Sequence, residues 1–340
     1  MRWTSIGLAL MLGACSSGAG SDDGSGDVVG DDDDVVGDDD DDVTFPAGER
    51  CEGPDPDVPV TLRFGEMDLI DVDGMKSIYH VPEDPKAVLI MFHGSGGDAG
   101  IVNYLEYWRL YNRMACNGVA ILAGSSISSE WDIATPFDNN ADAVRIEALW
   151  DAVDAEVGLP RDLPVFVGGF SNGGGFTPRF ASMAAEKGWD VRAMALHNTL
   201  ASYQLTVPSV FVSSENDDGT ATREGMEARY QDALAQGLDA VHFEWDEIPT
   251  TAERLQVIEE IDAQEADIVV AELEAMGYID ANGERLFGIE GLEGVIRRYQ
   301  NNSEFGGAER ISKQLRVIWA THRFSGAFAY EEADFLLEYL

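Results

Sequence analysis

An unbroken run of six apolar residues, Ala87–Phe92, constrains the fold of this chain more than any other segment. A strand without polar alternation is buried on both faces, as in parallel sheets that helices cover on each side. Further strands are predicted at Val119–Ala123, 165–167, 191–196 and 209–213, and segments with helical spacing separate them. The alternation predicts an α/β fold built on a mostly parallel, doubly wound sheet.

Further predicted elements complete this outline. Strands are expected at 58–64, 76–81 and 241–245, and helices at 104–116, Ala141–Val157, 176–187, 221–236 and 329–340. From 251 to 300 the chain is acidic and carries apolar residues at helical spacing, which predicts a helical insertion at 250–310. We expect the folded domain as a whole to span 50–340.

The N-terminal residues resemble an export signal and not a part of the fold. Arg2 precedes a short apolar run at 6–12, and residues 12–15 read LGAC, which resembles a bacterial lipobox. We therefore expect a lipoprotein signal peptide at 1–14 and a lipid on Cys15, so that the protein is exported and anchored by lipid in the bacterial cell envelope. An ordinary signal peptide cut elsewhere is the alternative.

Residues 15–49 are expected to form a disordered linker. Between Ser16 and Asp42 there are twelve aspartates, no basic residue and no aromatic residue. Such a segment buries no core, and its like charges keep it extended. The net charge of the whole chain, -41, repels phosphate backbones and argues against nucleic acid as a partner. No zinc-ligand spacing and no phosphate-binding loop is found, so neither a metal nor a cofactor is expected.

Two cysteines remain once Cys15 is assigned to the lipid. In an exported protein an even number of cysteines predicts a disulfide, here between Cys51 and Cys116. Two separate buried thiols are the alternative, because a sequence does not give the distance between them.

A candidate nucleophile lies between a predicted strand and a predicted helix. Residues 169–173 read GFSNG, which matches G-x-S-x-G with Ser171 at its centre. In such a turn the flanking glycines prevent clashes between chain segments, and the following helix directs its dipole at the serine. Pro178 conflicts with a regular helix after the turn unless that helix starts late or is kinked.

A second glycine-rich turn, residues 93–98, directly follows the strand Ala87–Phe92. Acyl transfer passes through an oxyanion that needs fixed N–H donors, and glycines let the backbone approach a substrate closely. Together with the turn at Ser171 this pattern resembles the α/β-hydrolase superfamily, from about residue 58 to 240 and again at the C-terminus. The resemblance implies oxyanion amides at Ser95 and Asn172.

The resemblance also implies that an acid and then a histidine follow the serine along the chain. Asp217 follows the predicted strand 209–213 at the position of the acid, with Glu215 and Asp218 as alternatives. Of the five histidines, His322 is the candidate base. The others lie before the serine, before the acid or inside a predicted strand: His80, His93, His197 and His242.

The separation between Asp217 and His322, 105 residues, exceeds the few tens that the family commonly has. The insertion at 250–310 accounts for the excess, either as a cap over the pocket or as an appendage remote from it. Three residues on loops after predicted strands are expected to bind substrate: Trp131, His197 and Asn198.

The segments SSEWD at 128–132 and GFSNGGG at 169–175 look like those of secreted polyhydroxybutyrate depolymerases and feruloyl esterases. This likeness implies a serine esterase that cleaves a polyester, feruloyl or short acyl ester through an acyl-enzyme on Ser171. A peptidase or amidase on the same fold is one alternative. A non-catalytic binding lipoprotein is another, left open by the long separation of Asp217 from His322 and by Pro178.

Overall fold

The chain folds around an eight-stranded sheet in a computed structural model, which describes residues 67–340 apart from 104, 137–138, 201–202, 218–220, 257–260 and 304–306. The strands are β1 Asp68–Val72, β2 Met75–His80, β3 Ala87–Phe92, β4 Val119–Ala123, β5 Val165–Phe170, β6 Val191–His197, β7 Ser209–Ser214 and β8 Ala240–Trp245. They lie in the order β1-β2-β4-β3-β5-β6-β7-β8. The pairs β1–β2 and β2–β4 are antiparallel, and the other pairs are parallel. The predicted mostly parallel sheet is confirmed.

Helices cover both faces of the sheet. Among the described residues they are α1 Leu105–Cys116, α2 Ala141–Val157, α3 Asn172–Glu186, α4 Arg223–Ala235, α5 Ala252–Leu255, α6 Ala263–Ala275, α7 Leu292–Asn302, α8 Ala308–Ile318 and α9 Ala329–Leu337. The even-numbered residues of β3 lie in a core with α2, α3 and α4, and its odd-numbered residues lie in a second core with α1 and α9. Burial on both faces is what the apolar run of β3 predicts, and it makes the sheet doubly wound.

The ends of α2 show how local sequence sets an element's bounds. Asn140 caps its N-terminus, where the side-chain oxygen accepts a hydrogen bond from the Ala143 amide. At the other end Gly158 adopts a left-handed conformation (φ 78°), and its amide donates to the Asp154 carbonyl. Both signals are local, and the helix has the predicted bounds.

The strand β1 was not predicted from the sequence. It pairs with β2 through a two-residue turn, Asp73-Gly74, in which both residues have positive φ. The Asp-Gly dipeptide favours a tight hairpin, so it was the sequence signal from which β1 could have been predicted. The predicted strand at 58–64 lies outside the described residues.

The predicted helical insertion before the C-terminal histidine loop is confirmed. Helices α5 to α8 share an apolar core of their own, centred on the fully buried Trp319. The insertion leaves and rejoins the sheet at one place, because the Ile248 amide donates to the Ile318 carbonyl and Trp245 Nε1 donates to the Val317 carbonyl. None of the helices in the described ranges is both long and apolar enough to span a bilayer.

Several predictions concern residues that lie outside the described part. These are the signal peptide at 1–14, the lipid on Cys15, the linker at 15–49 and Cys51 of the expected disulfide. Cys116, the other half of that pair, is the last residue of α1. The disulfide therefore stays a prediction.

Candidate active site

Ser171 occupies the turn between β5 and α3 in a strained backbone conformation, with φ 55° and ψ -120°. A positive φ is rare for a residue with a side chain and persists only where the surroundings impose it. Here the Ser171 amide donates to the His197 carbonyl at 3.0 Å, and its carbonyl accepts from the Gly175 amide at 3.0 Å. The turn is therefore fixed from both sides, by a neighbouring strand and by the helix.

Two glycines make this turn sterically possible. A Cβ atom on Gly169 would lie 2.5 Å from the Gly173 carbonyl group, and one on Gly173 would lie 2.4 Å from the carbonyl oxygens of both Phe92 and His93. These contacts are backbone atoms that cannot move aside. The glycines predicted to prevent clashes are thus required by the close packing of β3 and α3 behind Ser171.

Helix α3 includes Pro178, so the late start that was one of the two expectations is wrong. The helix begins at Asn172, four residues earlier than predicted. Thr177 Oγ1 donates to the Gly173 carbonyl at 2.9 Å, so one carbonyl beside the proline has a side-chain partner. Pro178 has no N–H group to donate to the Gly174 carbonyl, four residues earlier in the helix. Gly174 has no side chain, so none lies beside the proline ring.

The side chains of Ser171, His322 and Asp217 come from separate loops and contact one another in that order. His322 Nε2 lies 2.8 Å from Ser171 Oγ, and His322 Nδ1 lies 2.5 Å from Asp217 Oδ2. The Asp217 side chain is 1% exposed, whereas that of His322 is 33% exposed. With its proton on Nδ1, His322 donates to the buried carboxylate and accepts from the serine hydroxyl. The imidazole can then take the serine's proton.

Asp217 is the carboxylate that contacts His322. Glu215, one of the alternatives, turns away, and its Oε2 accepts from the Glu247 amide at 2.9 Å. Asp218, the other alternative, lies outside the described residues.

A buried asparagine holds together the loop that carries Asp217 (the acid loop) and the loop that carries His322 (the histidine loop). Asn198 Nδ2 donates to Ser214 Oγ at 2.9 Å and to the Arg323 carbonyl at 2.7 Å, while its Oδ1 accepts from the Ser214 amide at 2.9 Å. Asn216 adds a second link, because its amide donates to the Ala320 carbonyl and its Nδ2 donates to the Trp319 carbonyl. The loops on either side of the insertion are thereby held next to each other.

The other two predicted pocket residues are also buried. The amide of Trp131 donates to Asn172 Oδ1 at 2.7 Å, and its Nε1 donates to the His93 carbonyl at 2.9 Å. His197 Nε2 lies 2.9 Å from Glu332 Oε1, beneath the serine turn.

Trp131, His197 and Asn198 are each at most 2% exposed. Their polar groups support the loops around Ser171 from within, and contact with substrate stays a prediction.

The glycine-rich turn at 93–98 passes directly against Ser171. A Cβ atom on Gly94 would lie 2.9 Å from the Phe170 ring and 3.3 Å from Ser171 Cβ. The turn is closed by a hydrogen bond from the Gly97 amide to the Gly94 carbonyl, and the Gly96 amide donates to the Ser129 carbonyl. This places the backbone around Ser95 beside Ser171, while Asn172 is the first residue of α3. Their roles as oxyanion donors stay predictions.

His93 anchors this turn from inside the core. Its Nδ1 donates to the Gly94 carbonyl at 2.7 Å, and its Nε2 accepts from the Ser126 amide at 2.9 Å. Burial lowers the pKa of His93 more than the Gly94 hydrogen bond and the charges of Asp98 and Asp142 raise it. The imidazole is therefore held in its neutral form.

Sequence reasoning missed two supporting residues, Asn216 and Glu106. Asn216 lies in the acid loop, where polar residues are common, and Glu106 lies in the first turn of α1, where an acidic residue is an ordinary helix signal. Both act across more than 100 residues of chain, so no local pattern indicated them.

No protein-family model and no curated protein matches the chain. Among solved structures it is similar to an esterase from Pyrobaculum calidifontis, with 15% identity over 68% of this chain and 89% of that chain and a TM-score of 0.40. An esterase/lipase from an uncultured bacterium has 12% identity over 70% and 92%, with a TM-score of 0.41. A bacterial heroin esterase has 17% identity over 61% and 84%, with a TM-score of 0.39.

The chain's own strand order and the turn after β5 decide the fold type. The fold is of the α/β-hydrolase type. The mostly parallel, doubly wound sheet and the serine turn between β5 and α3 agree with what the resemblance implies.

Proposed function

We propose that this protein is a serine hydrolase that cleaves carboxylic esters through an acyl-enzyme on Ser171. The observation that carries this proposal is the pair of contacts of His322, 2.8 Å from Ser171 Oγ and 2.5 Å from Asp217 Oδ2. A serine hydroxyl becomes a useful nucleophile when a positioned base takes its proton and a third group orients that base.

The proposed reaction has two steps. His322 takes the proton of Ser171 as the hydroxyl oxygen attacks the ester carbonyl, and Asp217 stabilises the resulting imidazolium. Backbone amides at Ser95 and Asn172 bind the oxyanion, and His322 then protonates the leaving alcohol. A water molecule attacks the acyl-enzyme in the same way and releases the acid.

We propose a substrate with an apolar acyl or aryl part, because apolar side chains lie exposed on loops at the edge of the sheet that carries Ser171. Ile127 and Ile133 follow β4, and Leu200 follows β6, at the edge of the sheet that carries Ser171. They are 53%, 36% and 46% exposed. Ligand sites are lined mostly by apolar side chains, so such residues at this edge would suit an apolar group of the substrate. Polyester, feruloyl and short acyl esters all belong to this class.

The proposal includes an exported enzyme that is tethered to the cell envelope through lipid on Cys15. It is supported by the cationic start, the apolar run and the LGAC sequence at 12–15. A tether would keep the enzyme near esters that do not enter the cell.

The variant Ser171→Ala tests the function. We expect turnover of a 4-nitrophenyl ester to fall by several orders of magnitude, up to about 10⁶-fold, because the nucleophile is lost. Melting temperature should not change. Ser128→Ala, on an exposed loop, is the matched control and should keep activity.

A fluorophosphonate probe should label the wild type and not Ser171→Ala. Unchanged turnover or labelling in Ser171→Ala would exclude the proposed nucleophile. A panel of esters against peptides would separate an esterase from a peptidase or amidase.

A further inference from the structure

A buried carboxylate in the first turn of α1 receives donors from three distant segments. Glu106 Oε1 accepts from Arg254 Nη2 at 2.9 Å and from Gln314 Nε2 at 2.8 Å. Its Oε2 accepts from the Gly326 amide at 2.8 Å. Arg254 and Gln314 belong to the inserted helices α5 and α8, while Gly326 follows His322 by four residues. One side chain thus joins the sheet's covering helix, the insertion and the histidine loop.

The charge on Glu106 is retained although the side chain is buried. Burial opposes ionisation, but Arg254, the Gln314 and Gly326 hydrogen bonds, and Arg109 outweigh it, and the pKa of Glu106 is lowered. Hydrogen bonds to a charged acceptor in a dry environment are strong and hold their donors in place.

The histidine loop is fitted closely to Glu106. A Cβ atom on Gly326 would lie 2.3 Å from the Glu106 carbonyl oxygen, so the loop backbone crosses directly over the first turn of α1. The Phe324 ring stacks on Tyr107 with their centroids 3.5 Å apart. The segment that follows His322 is therefore fixed by α1 and not only by the insertion that precedes it.

We propose that Glu106 is a positioning residue, which fixes the His322 loop against α1 through the Gly326 amide while Arg254 and Gln314 keep the carboxylate charged and oriented. Its catalytic consequence rests on the proposed function. A displacement of about 1 Å between a base and its nucleophile costs on the order of 100-fold in rate, so a loosened loop reduces turnover without removing a reacting group.

The variant Glu106→Gln tests this role. We expect its kcat for a 4-nitrophenyl ester to fall about 10- to 100-fold with KM changed by less than about twofold, since the loop affects chemistry more than ester binding. Amide hydrogen exchange of the peptide that contains Gly326 should become faster. Glu272→Gln is the matched control, because Glu272 accepts from Ser303 within the insertion, and both readouts should stay unchanged.

The double variant Glu106→Gln with Arg254→Met separates positioning from bulk stability. Removing the arginine that the first change leaves buried without its carboxylate should restore much of the melting temperature. If Glu106 positions the loop, kcat stays low and exchange stays fast in the double variant. It also serves as the test protein where Glu106→Gln alone does not fold.

Two results would overturn the proposal. One is amide hydrogen exchange at the wild-type rate in the Gly326 peptide of Glu106→Gln or of the double variant. The other is a kcat that recovers together with the melting temperature in the double variant. If the wild type neither hydrolyses esters nor reacts with a fluorophosphonate, the proposed function fails. The exchange measurement still decides the structural role of Glu106 in that case.

Discussion

At the scale of single residues, the neutral state of His93 is built into the turn beside Ser171. Nε2 of this buried imidazole accepts a hydrogen bond from the Ser126 amide. A proton on Nε2 would set two N–H groups against each other and place a charge in the core. The turn at 93–98 therefore depends on a histidine that stays unprotonated.

This dependence gives a pH prediction for stability. The pKa of His93 in the folded protein lies below its ordinary value of 6.5, so the unfolded chain binds the proton first as the pH falls. The stabilising contribution is complete above about pH 6.5 and is lost as the pH falls toward the folded pKa, by at most about 1.4 kcal/mol per pH unit.

Urea unfolding of the wild type and His93→Gln at pH 7, 6 and 5 measures this effect. The difference in free energy of unfolding between the two should shrink as the pH falls. A wild-type to His93→Gln difference that is constant over this range would contradict the prediction.

At the scale of elements, the junction of β5 with α3 requires glycine only where the helix packs against backbone atoms of another segment. Gly173 has no room for a Cβ atom, whereas a Cβ atom on Gly175 would meet only Thr199 Oγ1, at an ordinary 3.7 Å. Two glycines of one helix, two residues apart, therefore have opposite tolerance for the same substitution.

The variants Gly173→Ala and Gly175→Ala form a matched pair. We expect Gly173→Ala to lower the free energy of unfolding by about 1–3 kcal/mol or more, because the helix must move off the β3 carbonyls. Gly175→Ala should be neutral or stabilising by up to about 1 kcal/mol, because alanine favours the helix. Thermal or denaturant unfolding checks both. Equal loss in the two variants would show that the contacts with β3 do not limit this turn.

Elements with strong local signals were predictable, and those set by tertiary contacts were not. The apolar run of β3 and the caps of α2 determine their elements locally. The early start of α3 depends on packing against β3, and β1 has polar residues that pair only because a tight turn returns the chain. Around Ser171, the acid and the histidine that lie in contact were predicted from the chain order that the resemblance implies. The burial of Trp131 and the reach of Glu106 depend on segments far apart in sequence, and residue patterns carry no signal for them.

At the scale of the whole molecule, scarce cations stabilise the insertion. Acidic residues outnumber lysines and arginines by 63 to 22, which favours solubility but also self-repulsion. Three arginines form ion pairs that involve the insertion, with Glu106, Glu247 and Glu293: Arg254, Arg285 and Arg316. In a chain this acidic, such pairs attach the insertion to the remainder and join its own helices.

The proposed lipid tether is also a property of the whole molecule. Expressed in a bacterium that processes lipoproteins, the wild type should be found in the membrane fraction and be released by detergent, because acyl chains bury in the bilayer. Cys15→Ser should be soluble after cell lysis or remain unprocessed, while Cys51→Ser should stay with the membrane. Recovery of Cys15→Ser in the same detergent-released form as the wild type would exclude lipidation at this residue.

The joined entry and exit of the insertion explain how a long detour leaves the reaction geometry intact. The insertion leaves the sheet near Ile248 and returns near Ile318, and one hydrogen bond joins these two residues. The length of chain between them therefore does not affect the positions of the strands. Closing a longer loop costs only about 0.6 kcal/mol for each doubling of its length. The length of the inserted segment can therefore change while its two ends stay together. A shorter or differently shaped segment should keep the imidazole facing the same hydroxyl where it supplies the donors to Glu106 that Arg254 and Gln314 provide here.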